Sequence, residues 1–461
     1  MSKRPNILVI ITDEQHANAM SNTGNADLHT PGMDAIAAAG VRFDRAYCTY
    51  PVCTPSRASM FTGKMPSEVG IGNGSGGHGL PEQGRRQEMG WVFRDAGYET
   101  AYAGKWHLPG QHMEEGHGFE ILSPMNDELA TCKSIEFLRR THEKPFLLVT
   151  SLWQPHGCCP YHRYPDPRTC AKLGLDKYGL SSKGPDDDSY DWPDDAYEQS
   201  FLDRCPRLPD NFEPSRYEPD VITKKRDHVY TVTKRPPFWQ PDEEWNAARN
   251  WGTQEHRFYR WAYYRLVERL DGQIQRILGA LSESGHDQNT LVVFTSDHGD
   301  MLSSHRLTAK DCFYEESVRI PLLMRLPGQI PAGTVVNDAL VSNGLDLIPT
   351  LCDFAGITPP QGLRGMSLRP LTHGVKPRAW RDDLLIELSK GMGLGRMIHT
   401  GRYKYARYNT GDHREELYDL ELDPGEMRNL AEDAQYQELK SELREKLDWR
   451  LQELVALDSA A

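Results

Sequence analysis

The chain lacks any apolar run long enough to cross a membrane. Mean hydropathy over its 461 residues is −0.64, and apolar stretches such as Ile7–Ile11 and Phe146–Val149 have strand length. No apolar signal region with a small-residue cleavage site precedes the first of these runs. Met1-Ser2-Lys3-Arg4 leads almost directly into it. The sequence as it stands therefore reads as cytoplasmic, or as periplasmic or secreted if it is a processed form. Positive charge is in deficit, with 53 Lys and Arg against 66 Asp and Glu for a net −13. This argues against a nucleic-acid binder and leaves room for a local basic pocket. Nine cysteines are too few and of the wrong parity for a complete disulfide framework, so at least one is unpaired. Internal repeats and low-complexity tracts are absent.

What is present is enough for a core. Hydrophobic residues make up 38% and aromatics 9%, in a chain long enough for one large domain and a smaller one. Strand-like runs at 6–12, 98–103, 146–152, 291–295 and 320–324 alternate with helical patterns at 32–39, 55–62, 87–96, 128–141 and 258–283. Such alternation predicts an α/β fold with a large, mostly parallel central sheet flanked by helices. After about residue 370 the pattern changes. Runs at 384–388, 396–400, 402–408 and 415–420 predict a smaller C-terminal antiparallel sheet, packed by an amphipathic helix at 430–456. The expected division is 1–370 and 371–461. Residues 157–250 interrupt the first part with Pro- and Asp-rich segments such as Gly184-Pro185-Asp186-Asp187-Asp188. The aromatics Tyr190, Trp192, Tyr197, Phe201, Trp239 and Trp245 predict an ordered insertion there rather than a disordered linker.

Polar residues gather where these strands end, which is where open α/β sheets bind ligands. The first strand runs into Asp13-Glu14 and the fourth into Ser296-Asp297-His298-Gly299-Asp300. Together the two carboxylate clusters read as a site for a divalent cation, though either alone also fits a helix cap or loop. Gly104-Lys105-Trp106-His107 and Gln154-Pro155-His156 follow two further strands. Cationic groups beside a dication would form a pocket for a multiply charged anion.

The stretch from Tyr50 to Gly63 carries most information. Thr54 reads as a helix N-cap and Pro55 as the first helical residue, which would place Cys53 just before a helix N-terminus and Arg57 in its first turn. Free N–H groups there attract anions. On this reading alone Cys53 is either a reactive thiol or a small buried residue.

At this motif the sequence resembles the formylglycine-dependent type I sulfatases of the alkaline-phosphatase-like superfamily. Cys53, Pro55, Ser56, Arg57, Thr62 and Gly63 match the family signature Cys-x-Pro-Ser-Arg followed by Thr-Gly. Further matches are Pro5-Asn6-Ile7 through Asp13, His29-Thr30-Pro31, Gly104 to His107, Ser296 to Gly299, Lys310, Tyr314 to Ser317, Leu417 to Leu420 and Asp423-Pro424. The resemblance implies that a maturation enzyme oxidises Cys53 to formylglycine. One hydroxyl of the hydrated aldehyde then attacks sulfur and displaces the alcohol. His107 takes the proton of the second hydroxyl, and collapse to the aldehyde expels sulfate. It further implies Asp13, Glu14, Asp297, His298 and residue 53 as metal ligands, Arg57 and Lys105 as holders of the diol and sulfate, and His156 and Lys310 as groups that grip the ester and protonate the leaving oxygen. Two positions depart from the common pattern: Glu14, where Asp or Gln is usual, and His298, where Asn is usual. Calcium is the expected ion, and the His298 nitrogen leaves manganese or magnesium open.

The expected partner is a small-molecule or oligosaccharide sulfate ester, without nucleic acid or membrane. A carbohydrate is expected because the aromatic-rich insertion and the loop at 72–79 are placed to border the opening. Competing readings are a phosphonate monoester or phosphodiester hydrolase, a sugar-binding protein without catalysis, and a thiol hydrolase. The last leaves the carboxylate clusters and Lys310 unexplained.

Overall fold

A computed structural model describes residues 4–71, 87–108, 117–158, 199–227, 251–389 and 393–458. In chain order the strands are β1 (Asn6–Asp13), β2 (Val41–Phe43), β3 (Ala46–Tyr47), β4 (Glu99–Gly104), β5 (Glu120–Ser123), β6 (Phe146–Pro155), β7 (Thr290–Ser296), β8 (Leu322–Arg325), β9 (Thr334–Val336), β10 (Val341–Ser342), β11 (Leu384–Ser389), β12 (Leu394–His399), β13 (Tyr403–Tyr408) and β14 (Glu415–Asp419). Eight of them form one sheet in the order β5-β4-β6-β1-β7-β8-β2-β9. Every pairing in it is parallel except those of β8, which runs antiparallel to β7 and β2.

The uninterrupted apolar run of β1 explains its central place, because a parallel strand covered on both faces has no solvent side to keep polar. All eight of its residues are buried. Ile7, Val9 and Ile11 point into one core with Phe61 of the Cys53–Thr62 helix and Ile348 and Leu351 of the Asn343–Ala355 helix. Leu8 and Ile10 point into the other, against Phe137 of the Asp127–Leu138 helix and Tyr263, Leu270 and Ile274 of the long Thr253–Glu283 helix. The C-terminal sheet is an antiparallel meander, β11-β12-β13-β14. Ile398, Tyr405 and Leu417 pack on Leu443 and Leu447 of the Gln437–Asp458 helix, while Ile386, Met397 and Tyr418 on the opposite face join the first large core.

Among the differences from the sequence reading are two helix starts and one whole helix. The helix that carries Cys53 starts at that residue, with Val52 as its extended cap and Pro55 inside the first turn. The missing proline N–H costs nothing there, because the first four N–H groups of a helix have no intrahelical partner. Cys53 is thus the first helical residue, not the residue before it. The Asn343–Ala355 helix, which carries Gly344 and Pro349, was not anticipated, since an interior proline argues against a helix. The terminal helix begins at Gln437, after a single 3₁₀ turn capped by Asp433, whose carboxylate accepts from Gln435 N. In the 157–250 region, Phe201 is buried against Trp261 at 4.9 Å between ring centroids. Tyr190, Trp192, Tyr197, Trp239, Trp245 and the 72–79 loop lie outside the described residues.

Candidate active site

Three strand ends and one helix start meet at Cys53. Asp13 closes β1, Asp297 and His298 follow β7, Lys105 follows β4, and all are buried. Cys53 Sγ lies 3.5 Å from Asp13 Oδ1, 3.2 Å from His298 Nε2 and 3.6 Å from Lys310 Nζ. His107, exposed, is near enough to the thiol to help hold it in its low range. Arg57, one helical turn on from Cys53, is completely buried. Its Nε donates to Asp297 Oδ2 at 2.8 Å, and its Nη1 donates to Lys105 O at 2.9 Å and Ser151 Oγ at 2.8 Å. Nη2 stands 3.5 Å from Asp13 Oδ2, which also accepts from Lys105 Nζ.

Backbone groups fix the carboxylates further. Asp297 Oδ1 accepts from Glu14 N at 3.1 Å and from His298 N at 2.9 Å, and Ser56 Oγ donates to Asp297 O at 2.5 Å. His298 Nδ1 lies 2.9 Å from Gly299 O, a partner that turns Nε2 toward residue 53. Glu14 is placed differently from the other acids. Its Oε2 accepts from Lys310 Nζ at 2.6 Å and lies 3.6 Å from His156 Nε2, at the half-buried rim.

Three buried carboxylates (Asp13, Glu14, Asp297) thus face three buried cations (Arg57, Lys105, Lys310), and the electrostatics follow from this crowding. Burial raises the Cys53 thiol, but Lys105, Lys310 and His298 outweigh it and hold the group well below its usual range. Burial likewise opposes ionisation of Asp13, and Lys105, His156 and Arg57 together bring it below the ordinary carboxylate range. Burial disfavours the His298 imidazolium, yet Asp297 raises it to about 9.

Asp13, Cys53, Asp297 and His298 each offer one donor atom, all four atoms lying within 4.8 Å of one another. Two carboxylates, an imidazole nitrogen and the atom at position 53 suit a divalent cation, whose binding would displace the His298 proton. Glu14 falls in a neighbouring group with Asp13 and His156. Of the residues expected from sequence, the structure brings Cys53, Arg57, Lys105, His107, Lys310, Asp13, Asp297 and His298 together, with Glu14 and His156 one layer out. Ser151 and Asn343, whose Nδ2 donates to Ser296 O at 2.7 Å, carry no signal in the sequence. Only tertiary contact identifies them, because a serine in a strand or helix carries no signal of its partner. A separate cleft of about 970 Å³ is lined by residues including His16, Arg45, Arg260, Glu316, Arg319 and Asp423, and by none of the groups that surround Cys53.

Comparison with known proteins agrees with this geometry. Residues 5–357 match the family described as Sulfatase, and residues 303–453 match the N-sulphoglucosamine sulphohydrolase C-terminal family. The chain belongs to the sulfatase family. Among its relatives is a Delta 4,5-hexuronate-2-O-sulfatase of Bacteroides thetaiotaomicron, 28% identical over 97% of this chain and 88% of that protein. An N-acetylglucosamine-6-O-sulfatase of the same organism is 30% identical over 97% and 86%. A solved structure in complex with its substrate, D-glucosamine-2-N,6-O-disulfate, superposes with a TM-score of 0.75 at 26% identity, covering 98% of this chain and 99% of that one. The phosphonate monoester hydrolase of Agrobacterium radiobacter shares the fold, with a TM-score of 0.73 at 22% identity over 99% and 96%. This protein is a sulfatase, a hydrolase of sulfate esters, with the expected α/β architecture. Among its described residues no helix is long and apolar enough to cross a membrane.

Proposed function

We propose that this sulfatase removes sulfate from a carbohydrate, using residue 53 as nucleophile after a maturation enzyme has oxidised its thiol to formylglycine. The observation that carries the reading is the convergence of Asp13, His298 and Lys310 within 3.6 Å of Cys53 Sγ, at the first residue of a buried helix. Formylglycine, as its hydrate, would supply an oxygen nucleophile and a second hydroxyl whose loss of a proton restores the aldehyde and expels sulfate. A divalent cation held by Asp13, Asp297, His298 and residue 53, with Glu14 as the fifth candidate ligand, would add Lewis-acid polarisation. Calcium is the ion proposed, with manganese or magnesium as the alternatives.

The chain's own groups divide the remaining work. Arg57 spends Nε and Nη1 on Asp297, Lys105 O and Ser151, so it chiefly orients the carboxylates and leaves Nη2 for the nucleophile. Lys105 and Lys310 place two ammonium groups around the sulfate oxygens, where charge builds in the transition state. His156, at the rim, is placed to protonate the leaving alcohol oxygen, and His107 to take the proton of the second hydroxyl of residue 53.

The carbohydrate assignment is supported by the activities of the hexuronate and N-acetylglucosamine relatives and by the glucosamine disulfate bound in a structural neighbour. A phosphonate or phosphodiester hydrolase is the second reading, favoured by the shared fold with a phosphonate monoester hydrolase. Sulfate release from a panel of sulfated mono- and oligosaccharides, beside rates on aryl sulfate and aryl phosphonate, separates them. Peptide mass spectrometry should show residue 53 as formylglycine in active protein, and Cys53→Ala should be folded and inactive. Full activity with only an unmodified thiol there would end the proposal.

A further inference from the structure

Behind the turn that carries Lys105 and His107 lies a buried carboxylate–imidazole pair with no part in the chemistry above. His117 Nδ1 stands 2.7 Å from Glu88 Oε2, and each residue is 2% exposed. The His117 ring lies 4.5 Å from the ring of Trp106, tilted by 42°. Trp106 is itself buried against Phe61 and Tyr102, each at 5.0 Å between centroids. Two glycines bring the backbones close enough for this contact. A Cβ on Gly90 would lie 2.1 Å from His117 O, and one on Gly118 would lie 2.4 Å from Trp91 N.

Stability does not account for such a group. Glu88 Oε1, His117 Nε2 and Trp106 Nε1 are all buried without a hydrogen-bond partner among the described residues. Apolar side chains of similar volume commonly replace a buried ion pair without loss, whereas unsatisfied polar atoms carry a penalty. Trp106 separates two residues of unequal anchorage. Lys105 is pinned by its ion pair with Asp13 and by its carbonyl, which accepts from Arg57 Nη1 at 2.9 Å and from the Tyr102 hydroxyl. His107 is exposed and left-handed, with φ of 59°, a conformation that persists in a non-glycine residue only where its surroundings impose it.

We infer that Glu88 and His117 are positioning residues for His107. They fix Trp106, and Trp106 fixes the backbone that aims the His107 imidazole at residue 53. The inference rests on the sulfate-ester reading and deepens it.

The test compares wild type, E88M/H117L, H117L and H117N as mature, metal-loaded enzymes on an aryl sulfate. In E88M/H117L the unfolding midpoint should stay within about 2 °C of wild type while kcat falls at least about tenfold and KM stays within about twofold, since Lys105 keeps its own anchors. H117L leaves Glu88 buried without its partner and should lower the midpoint. H117N, whose amide can still donate to Glu88, should recover kcat to within about threefold of wild type. The inference is overturned if E88M/H117L keeps wild-type kcat, if its activity falls only in step with the folded fraction, or if KM rises as much as kcat falls. A wild type that releases no sulfate from any ester removes the functional reading together with the inference. An active wild type with an unaffected double variant removes the inference alone.

Discussion

Replacing Arg57 by methionine takes one of three cations from a site with three buried carboxylates, and it keeps most of the side-chain volume. The guanidinium makes three hydrogen bonds of 2.8–2.9 Å, one of them to a carboxylate, and its Nη2 faces Asp13 as well. Breaking a buried pair by deleting one partner costs about 3–5 kcal/mol, because the remaining charge stays buried without compensation. Arg57→Met should therefore lower stability by about that amount, read as a fall in the urea midpoint at constant slope. Arg57→Lys keeps the charge but cannot span Asp297, Lys105 O and Ser151 from one nitrogen. Losing two neutral-acceptor hydrogen bonds at about 0.5–1.5 kcal/mol each predicts a loss of about 1–3 kcal/mol. Both variants should lose most sulfate release, because Asp297 and Lys105 lose their common anchor. A methionine variant as stable as wild type would refute the reasoning that this guanidinium holds the carboxylates in place.

Further outcomes can be checked separately. Asp297→Ala should lose both bound divalent metal, by elemental analysis, and activity; full activity after exhaustive chelation would contradict the assignment. Burial raises the Glu416 carboxyl to about 7 despite its hydrogen bond from Tyr408. A raised carboxyl contributes stability below its unfolded value near 4.5 that is lost as pH climbs through about 7, so Glu416→Gln should match wild type at pH 4 and exceed it at pH 8 by up to about 3 kcal/mol in urea unfolding.

Much of this architecture was legible in the sequence for a physical reason. A parallel strand buried on both faces must be apolar throughout, so β1, β6 and β7 stand out, and the polar residues that follow them mark the ligand end of the sheet. Short strands such as β2 and β9, three residues each, are below the length at which alternation can be read. The Asn343–Ala355 helix was hidden by Pro349, whose place a buried helix tolerates through tertiary packing. At the site, side-chain types and strand ends indicated Asp13, Asp297, Lys105 and His107. The Arg57–Ser151 and Lys310–Glu14 contacts join residues 94 and 296 positions apart, and no local pattern encodes such pairings.

The charge balance of the site leads to a last prediction. Asp13, Glu14 and Asp297 are offset by Arg57, Lys105 and Lys310, and the low-lying Cys53 thiol by the raised His298 imidazole, so the buried centre is near neutral before any ligand enters. A dication alone adds uncompensated positive charge, and a sulfate dianion alone adds uncompensated negative charge. The two together restore neutrality. Even one unit-charge pair at 4 Å is worth about 4 kcal/mol at an effective dielectric of 20, so the ligands should assist each other by well over the 1.4 kcal/mol that makes a factor of ten. Linkage makes that assistance reciprocal. Calorimetric titration of the protein with inorganic sulfate should show at least about tenfold tighter binding with saturating divalent metal than with chelator, and metal affinity should rise by the same factor in sulfate. Equal sulfate affinity in both conditions would mean that metal and anion do not share this centre, and the assignment of Asp13, Asp297 and His298 to the same site as Lys105 and Lys310 would fall.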